Sequence, residues 1–151
     1  MTLTKKEQSL LKDLQNEEKM CAEKYQRAAE NANDPLLKEM FNQIGQTEQD
    51  HYNTVTEMLA GNVPQPKGVE AKRQKTAEQL KSQANRAGKK QDAYLLDDLL
   101  ATEKYVSAAY NTSVFEFSDE QARQVLSGIQ QQEQHHGKQL SDYMQANGIY
   151  C

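Results

Sequence analysis

Ile44-Gly45-Gln46-Thr47-Glu48-Gln49-Asp50-His51 and Ile129-Gln130-Gln131-Gln132-Glu133-Gln134-His135-His136 are two versions of one segment, 85 positions apart. Each carries Glu-x-x-His four residues after an isoleucine. Thirty positions upstream of each segment's Glu lies another, Glu18 and Glu103. The halves align without a gap, with Leu10-Leu11 on Leu95-Leu96, Asp13 on Asp98, Glu18-Lys19 on Glu103-Lys104 and Tyr25 on Tyr110. Residues three apart on a helix share a face, so Glu48 with His51, and Glu133 with His136, can each grip one point. One Glu from each of two helices and one Glu-x-x-His from each of two others is the donor set of a two-metal carboxylate site inside a four-helix bundle.

The residues around these donors place the site in the interior. Glu48 and His51 lie on a stripe with Leu37, Met40, Phe41, Ile44, Val55 and Met58; Glu133 and His136 lie on one with Val125, Leu126, Ile129, Leu140 and Tyr143. Four carboxylates buried together repel and are driven to take up protons. Two divalent cations would cancel their charge. Oxygen and imidazole donors without thiolate suit iron or manganese. Glu48 and Glu133 are placed to bridge two metals, Glu18 and Glu103 to bind one each, and each histidine to bind one. A single Glu-x-x-His in a chain so rich in Glu and Gln would carry little; two at one offset, taking two of the three histidines, carry much more. The third, His135, has Gln132 three residues before it and points about 100° off the stripe, which marks a surface residue.

The fold expected is all-α, an up-down four-helix bundle of two pseudo-twofold-related hairpins (5–60 and 91–147) joined by a long crossover (61–90), in one domain over 1–151. Thr4-Lys5-Lys6-Glu7 reads as a capping box opening the first helix, which should run to Ala29–Ala32. Asp34 caps the second, with Pro35 at its first position, and Gly61 ends it. Ser118-Asp119-Glu120-Gln121 reads as a capping box for the fourth, closed by Asn147-Gly148. Pro64 and Pro66 keep the start of the crossover extended. Residues 70–90 hold helix formers but almost no apolar residues, so an exposed, partly helical return is expected. A 25-residue helix is roughly 38 Å long, a span this crossover can cover.

Other positions have two readings each. Tyr25 and Tyr110 follow Glu18 and Glu103 by seven residues and share their faces; they either pack in the core or stand beside the metals as hydrogen-bonding or oxidisable groups. Gly45 either lets helices approach closely or leaves room for a small molecule. Cys21 aligns with Val106, which favours an apolar filler. Asp13 and Asp98 fall about 140° from the ligand stripe and read as solvated charges. Cys151 reads as a loose reduced thiol.

The net charge of −4 argues against nucleic acid as a partner, although residues 67–90 carry a local +6. No apolar run approaches the ~20 residues a membrane span needs. The N-terminus lacks a signal-peptide core, so synthesis and retention in the cytoplasm are expected.

Leu10-Leu11-Lys12-Asp13-Leu14 with Glu18-Lys19, Lys24-Tyr25 and Asp34-Pro35-Leu36-Leu37-Lys38 resembles the spore coat protein F family of endospore-forming bacteria, which is ferritin-like and similar to the rubrerythrins. The likeness covers nearly the whole chain outside 61–90. It implies a spore-coat component, partnered by other coat proteins or by itself, with a di-iron or di-manganese centre. Two departures set it apart from an electron-fed rubrerythrin peroxidase: the additional carboxylate that rubrerythrins place one turn after their third-helix Glu falls at Val106, and no cysteine pairs supply a rubredoxin-type iron site. Two functions are therefore expected to compete, an oxidoreductase site that takes peroxide or dioxygen between two metals and a structural coat protein whose metals brace the core or whose site is vestigial. Iron storage has no support in the chain.

Overall fold

The computed structural model describes residues 1–68 and 73–149. Four helices account for most of them: α1 (Lys5–Asn31), α2 (Pro35–Leu59), α3 (Arg86–Glu116) and α4 (Glu120–Ala146), with no strand among the described residues. Residues 70–72 of the expected partly helical crossover, and Cys151, lie outside the described residues.

Local sequence sets the helix ends. Thr4 accepts from the Glu7 amide at 3.1 Å while Glu7 accepts from the Thr4 amide at 3.0 Å, the expected box. Asp34 caps α2 ahead of Pro35. Gly61 (φ 90°) and Gly148 (φ 66°) take the left-handed conformation that stops α2 and α4. Behind each, the amide two residues past the cap returns to the last turn, Asn62 to the Glu57 carbonyl and Ile149 to that of Met144.

Two of the predicted boundaries shift. The cap of α4 is Asp119, not Ser118: its carboxylate accepts from the Ala122 amide at 2.8 Å. Gln121 is thereby freed from the cap and donates to the Val63 and Pro64 carbonyls, tying down the start of the crossover. The third helix begins at Arg86 rather than 91, capped by Asn85. Helix enters the expected crossover only at its end, from Arg86; ahead of that, its described residues hold an isolated turn, where Thr76 and Gln79 exchange backbone–side-chain hydrogen bonds. That turn puts Leu80 into the core, 6 % exposed.

α1 packs on α2 and α3 packs on α4 as two hairpins; α1 also packs on α3, and α2 on α4. The crossover returns the chain along the bundle, so α1 and α3 run antiparallel, with Lys6 meeting Glu116 and Lys24 meeting Asp98. Two apolar clusters fill the ends. One gathers Tyr25, Leu37, Phe41, Leu96 and Tyr143, the other Leu11, Val55, Val106, Phe117 and Leu126. The polar centre lies between them.

One end carries a latch. Asp92, 1 % exposed, accepts from the Asn33 amide at 2.8 Å, the Asp34 amide at 3.0 Å and the Asn33 side chain at 3.1 Å. Tyr143 donates to Asp34 at 2.6 Å. The α1–α2 turn is thus held by both helices of the other hairpin. Gly88 makes room for it, since a Cβ there would lie 2.9 Å from the Cβ of Asn33.

Candidate metal centre

All six candidate donors are buried: Glu18 and Glu48 at 0 %, Glu133 at 1 %, Glu103 at 2 %, His51 at 3 % and His136 at 4 % exposure. They converge as two overlapping groups, Glu18, Glu48, His51 and Glu133, and Glu48, Glu103, Glu133 and His136. Within each, the donor atoms lie within 4.8 Å of one another. Glu48 and Glu133 belong to both groups, the position of a bridge. His51 Nδ1 lies 2.7 Å from Glu133 Oε1, and His136 Nδ1 lies 2.8 Å from Glu48 Oε1, so each ring points its Nδ1 at the Glu of the opposite hairpin. The two rings face each other 6.1 Å apart.

The tyrosines obey the same twofold rule. Tyr25 donates to Glu103 Oε1 and Tyr110 to Glu18 Oε1, each at 2.7 Å. Each orients the terminal carboxylate of the other hairpin, so packing and hydrogen bonding are combined. Burial, together with the neighbouring carboxylates, raises both phenols well above their ordinary range and keeps them protonated donors. Gly45 serves close approach, because a Cβ there would sit 3.1 Å from Tyr25 Cβ.

Such burial is costly. Removing a carboxylate from water carries a penalty of several kcal/mol even after relaxation. Glu48 and Glu133 respond by holding protons: burial first, then neighbouring Glu groups (Glu18 beside Glu48, Glu103 beside Glu133), push both well above the usual carboxylate range. Burial also pushes Glu103 up, but its neighbours Glu133, His136 and Tyr25 outweigh it and hold Glu103 at about 2. Burial alone would lower His51; its hydrogen bonds to Glu133, Glu18 and Glu48 raise it instead. Even so, Glu18 Oε2, Glu103 Oε2 and Glu133 Oε2 are buried with no hydrogen-bond partner. Unpaired buried oxygens of this kind call for a missing partner. Cations fit that need, and the oxygen–imidazole set matches their chemistry.

A donor that the sequence did not reveal is Gln132. Its Oε1 meets His51 Nε2, so Nε2–H donates to it and Nδ1 is the nitrogen left facing the carboxylates, where a cation would take the place of its proton. The repeat counterpart, Thr47, donates instead to the Gln43 carbonyl of its own helix. The one sequence signal was this break in the repeat. Cys21 is buried as an apolar filler, and burial pushes its thiol up. Asp13 is exposed, and Asp98 pairs with Lys24 at 3.1 Å. His135 is half-buried at a cavity where α2, α4 and the crossover meet, less exposed than its spacing suggested.

Residues 91–150 match the Coat F domain. That domain covers the second hairpin, and the first repeats its chemistry on the same geometry. No curated protein and no solved structure matches the chain. No described helix is long and apolar enough to cross a membrane.

Proposed function

We propose that this is a spore-coat-associated, ferritin-like protein whose core holds two divalent cations, iron or manganese. The observation that carries the reading is the pair of buried four-donor groups sharing Glu48 and Glu133. The match of residues 91–150 to the Coat F domain supports the association with the coat. Glu18, Glu48, His51 and Glu133 would hold one ion, and Glu48, Glu103, Glu133 and His136 the other. Bound there, such a metal pair would supply reversible two-electron chemistry toward peroxide or dioxygen. The chain's own part is to fix the donors and keep bulk water out. Tyr25 and Tyr110 orient the terminal carboxylates, and the apolar clusters at both ends seal the centre. The test is metal analysis and peroxide consumption by purified protein loaded with iron or manganese. Two ions per chain with turnover is the expected result; a fully loaded, inert protein would remove the catalytic part of the reading.

A purely structural role is the second reading, favoured by the latch at Asp92 and the cross-hairpin tyrosines, which already tie the hairpins together. The basic crossover against an acidic body would then promote self-association or contact with other coat proteins. Chelation separates the readings. A brace requires that folding and association weaken when metal is withdrawn.

A further inference from the structure

Two surface grooves that are counterparts in the repeat lie over the centre, and one of them has two of the six candidate donors in its lining. The groove between α3 and α4, about 580 Å³, has Glu103 and Glu133 in its lining, with Lys104 beside them and Ser107, Gly137 and Ser141 among its walls. The groove between α1 and α2, about 400 Å³, is lined by the matching Lys19, Ala22 and Tyr52, but by none of the six candidate donors. Three substitutions across the repeat accompany the difference. Tyr52 stands where the second hairpin has Gly137. Gln15 donates to Thr56 at 2.9 Å, a bond between α1 and α2. The second hairpin has Leu100 and Ser141 at those places, and leucine offers no such bond. At Gly137 the nearest atom to an added Cβ would be Leu100 Cδ1 at 3.8 Å, so the wall there is thin without being crowded. The unpartnered oxygens Glu103 Oε2 and Glu133 Oε2 belong to the two donors that line this groove.

We propose that the α3–α4 groove is the passage by which hydrated divalent cations enter the core, and that the α1–α2 face is closed to them. This rests on the metal-binding reading above. The passage suits a small polar species: its walls offer hydroxyls and amides that replace water ligands one at a time, and the two glutamates in its lining carry carboxylates buried beneath it. Lys104 beside them opposes a cation by charge and slows its entry, while Lys19 occupies the matching place over a closed groove.

The experiment is stopped-flow uptake of cobalt(II) alone by the metal-free full chain, followed by its visible absorption. Lys104→Glu reverses the charge of an exposed residue and should speed uptake on the order of threefold at low ionic strength, an advantage lost in high salt. Lys19→Glu should change the rate by less than half as much. Gly137→Tyr, which installs the first hairpin's residue, should slow uptake at least about tenfold while leaving the number of ions bound unchanged. Equal acceleration by the two lysine variants would overturn the passage, and so would an unaltered rate in Gly137→Tyr with an unaltered rate in Lys104→Glu. Either result, with two ions still bound at equilibrium, leaves the metal centre standing. A wild-type chain that binds no cobalt(II) removes both.

Discussion

The two hairpins agree where they face each other and differ where they face solvent. Inside, the correspondence is nearly complete: two Tyr–Glu bonds of 2.7 Å, two histidines each aimed at the opposite hairpin's Glu, and two carboxylates common to both donor groups. Outside, the first hairpin has Tyr52 and the Gln15–Thr56 bond, while the second has Gly137 and Ser141. The two donor groups share Glu48 and Glu133, so a change at either is felt by both. The supporting residues differ more, and Gln132 is a case: it meets His51, while its counterpart Thr47 bonds its own helix.

The largest break in that correspondence should come from the shared carboxylates. Glu48→Ala or Glu133→Ala removes a donor from both groups and should abolish binding of both ions, whereas Glu18→Ala or Glu103→Ala should leave one. Metal content per chain after dialysis checks this. Next in size is the latch. Asp92→Ala strands the Asn33 and Asp34 amides and should cost about 2–4 kcal/mol of unfolding free energy in a denaturant titration. Asp98→Ala, which loses only a half-exposed ion pair, should cost less than about 1 kcal/mol.

Gln132→Leu should weaken metal binding roughly 10- to 100-fold by calorimetry, and for one ion of the two, because it frees the His51 ring alone. Thr47→Val should leave both affinities as they are. The tyrosines test symmetry directly. Tyr25→Phe and Tyr110→Phe each delete one buried hydrogen bond to a carboxylate and should cost about 1–3 kcal/mol apiece, equal to within ~0.5 kcal/mol.

The smallest effect is a drift with pH in metal-free protein. Glu48 and Glu133 lie well above their ordinary value of 4.5, and Glu17, half-buried beside Asp13 and Glu18, lies at about 7. Groups raised on folding favour the native state while they keep their protons. Their contribution is whole below pH 4.5 and is lost as pH climbs through the folded-state values. The melting temperature should therefore fall between pH 5 and 8, and saturating manganese(II) should flatten the slope by displacing the protons of Glu48 and Glu133. An unchanged slope with metal bound would mean that those carboxylates are not the groups losing protons.

Most of the core was legible because it is written twice. The six donors, both tyrosines and the apolar stripes recur at one offset, and helical spacing alone sends them to the same side. Caps at Thr4, Asp34 and Gly148 were legible because their chemistry is local. Asp92, Gln132 and Leu80 were not, since each takes its meaning from a partner far away in the chain. The early start of α3 was hidden for the same reason. Its first turns dock through a glycine and a carboxylate, without the apolar residues that betray a buried helix.

Gly45 sets the gauge of the whole interior. With no Cβ in the way, α1 seats Tyr25 against α2, and the Tyr25 hydroxyl then reaches across to Glu103 in the other hairpin. A single added methyl group at this position would act as a shim, easing the first pair of helices apart and detuning a carboxylate that belongs to the second.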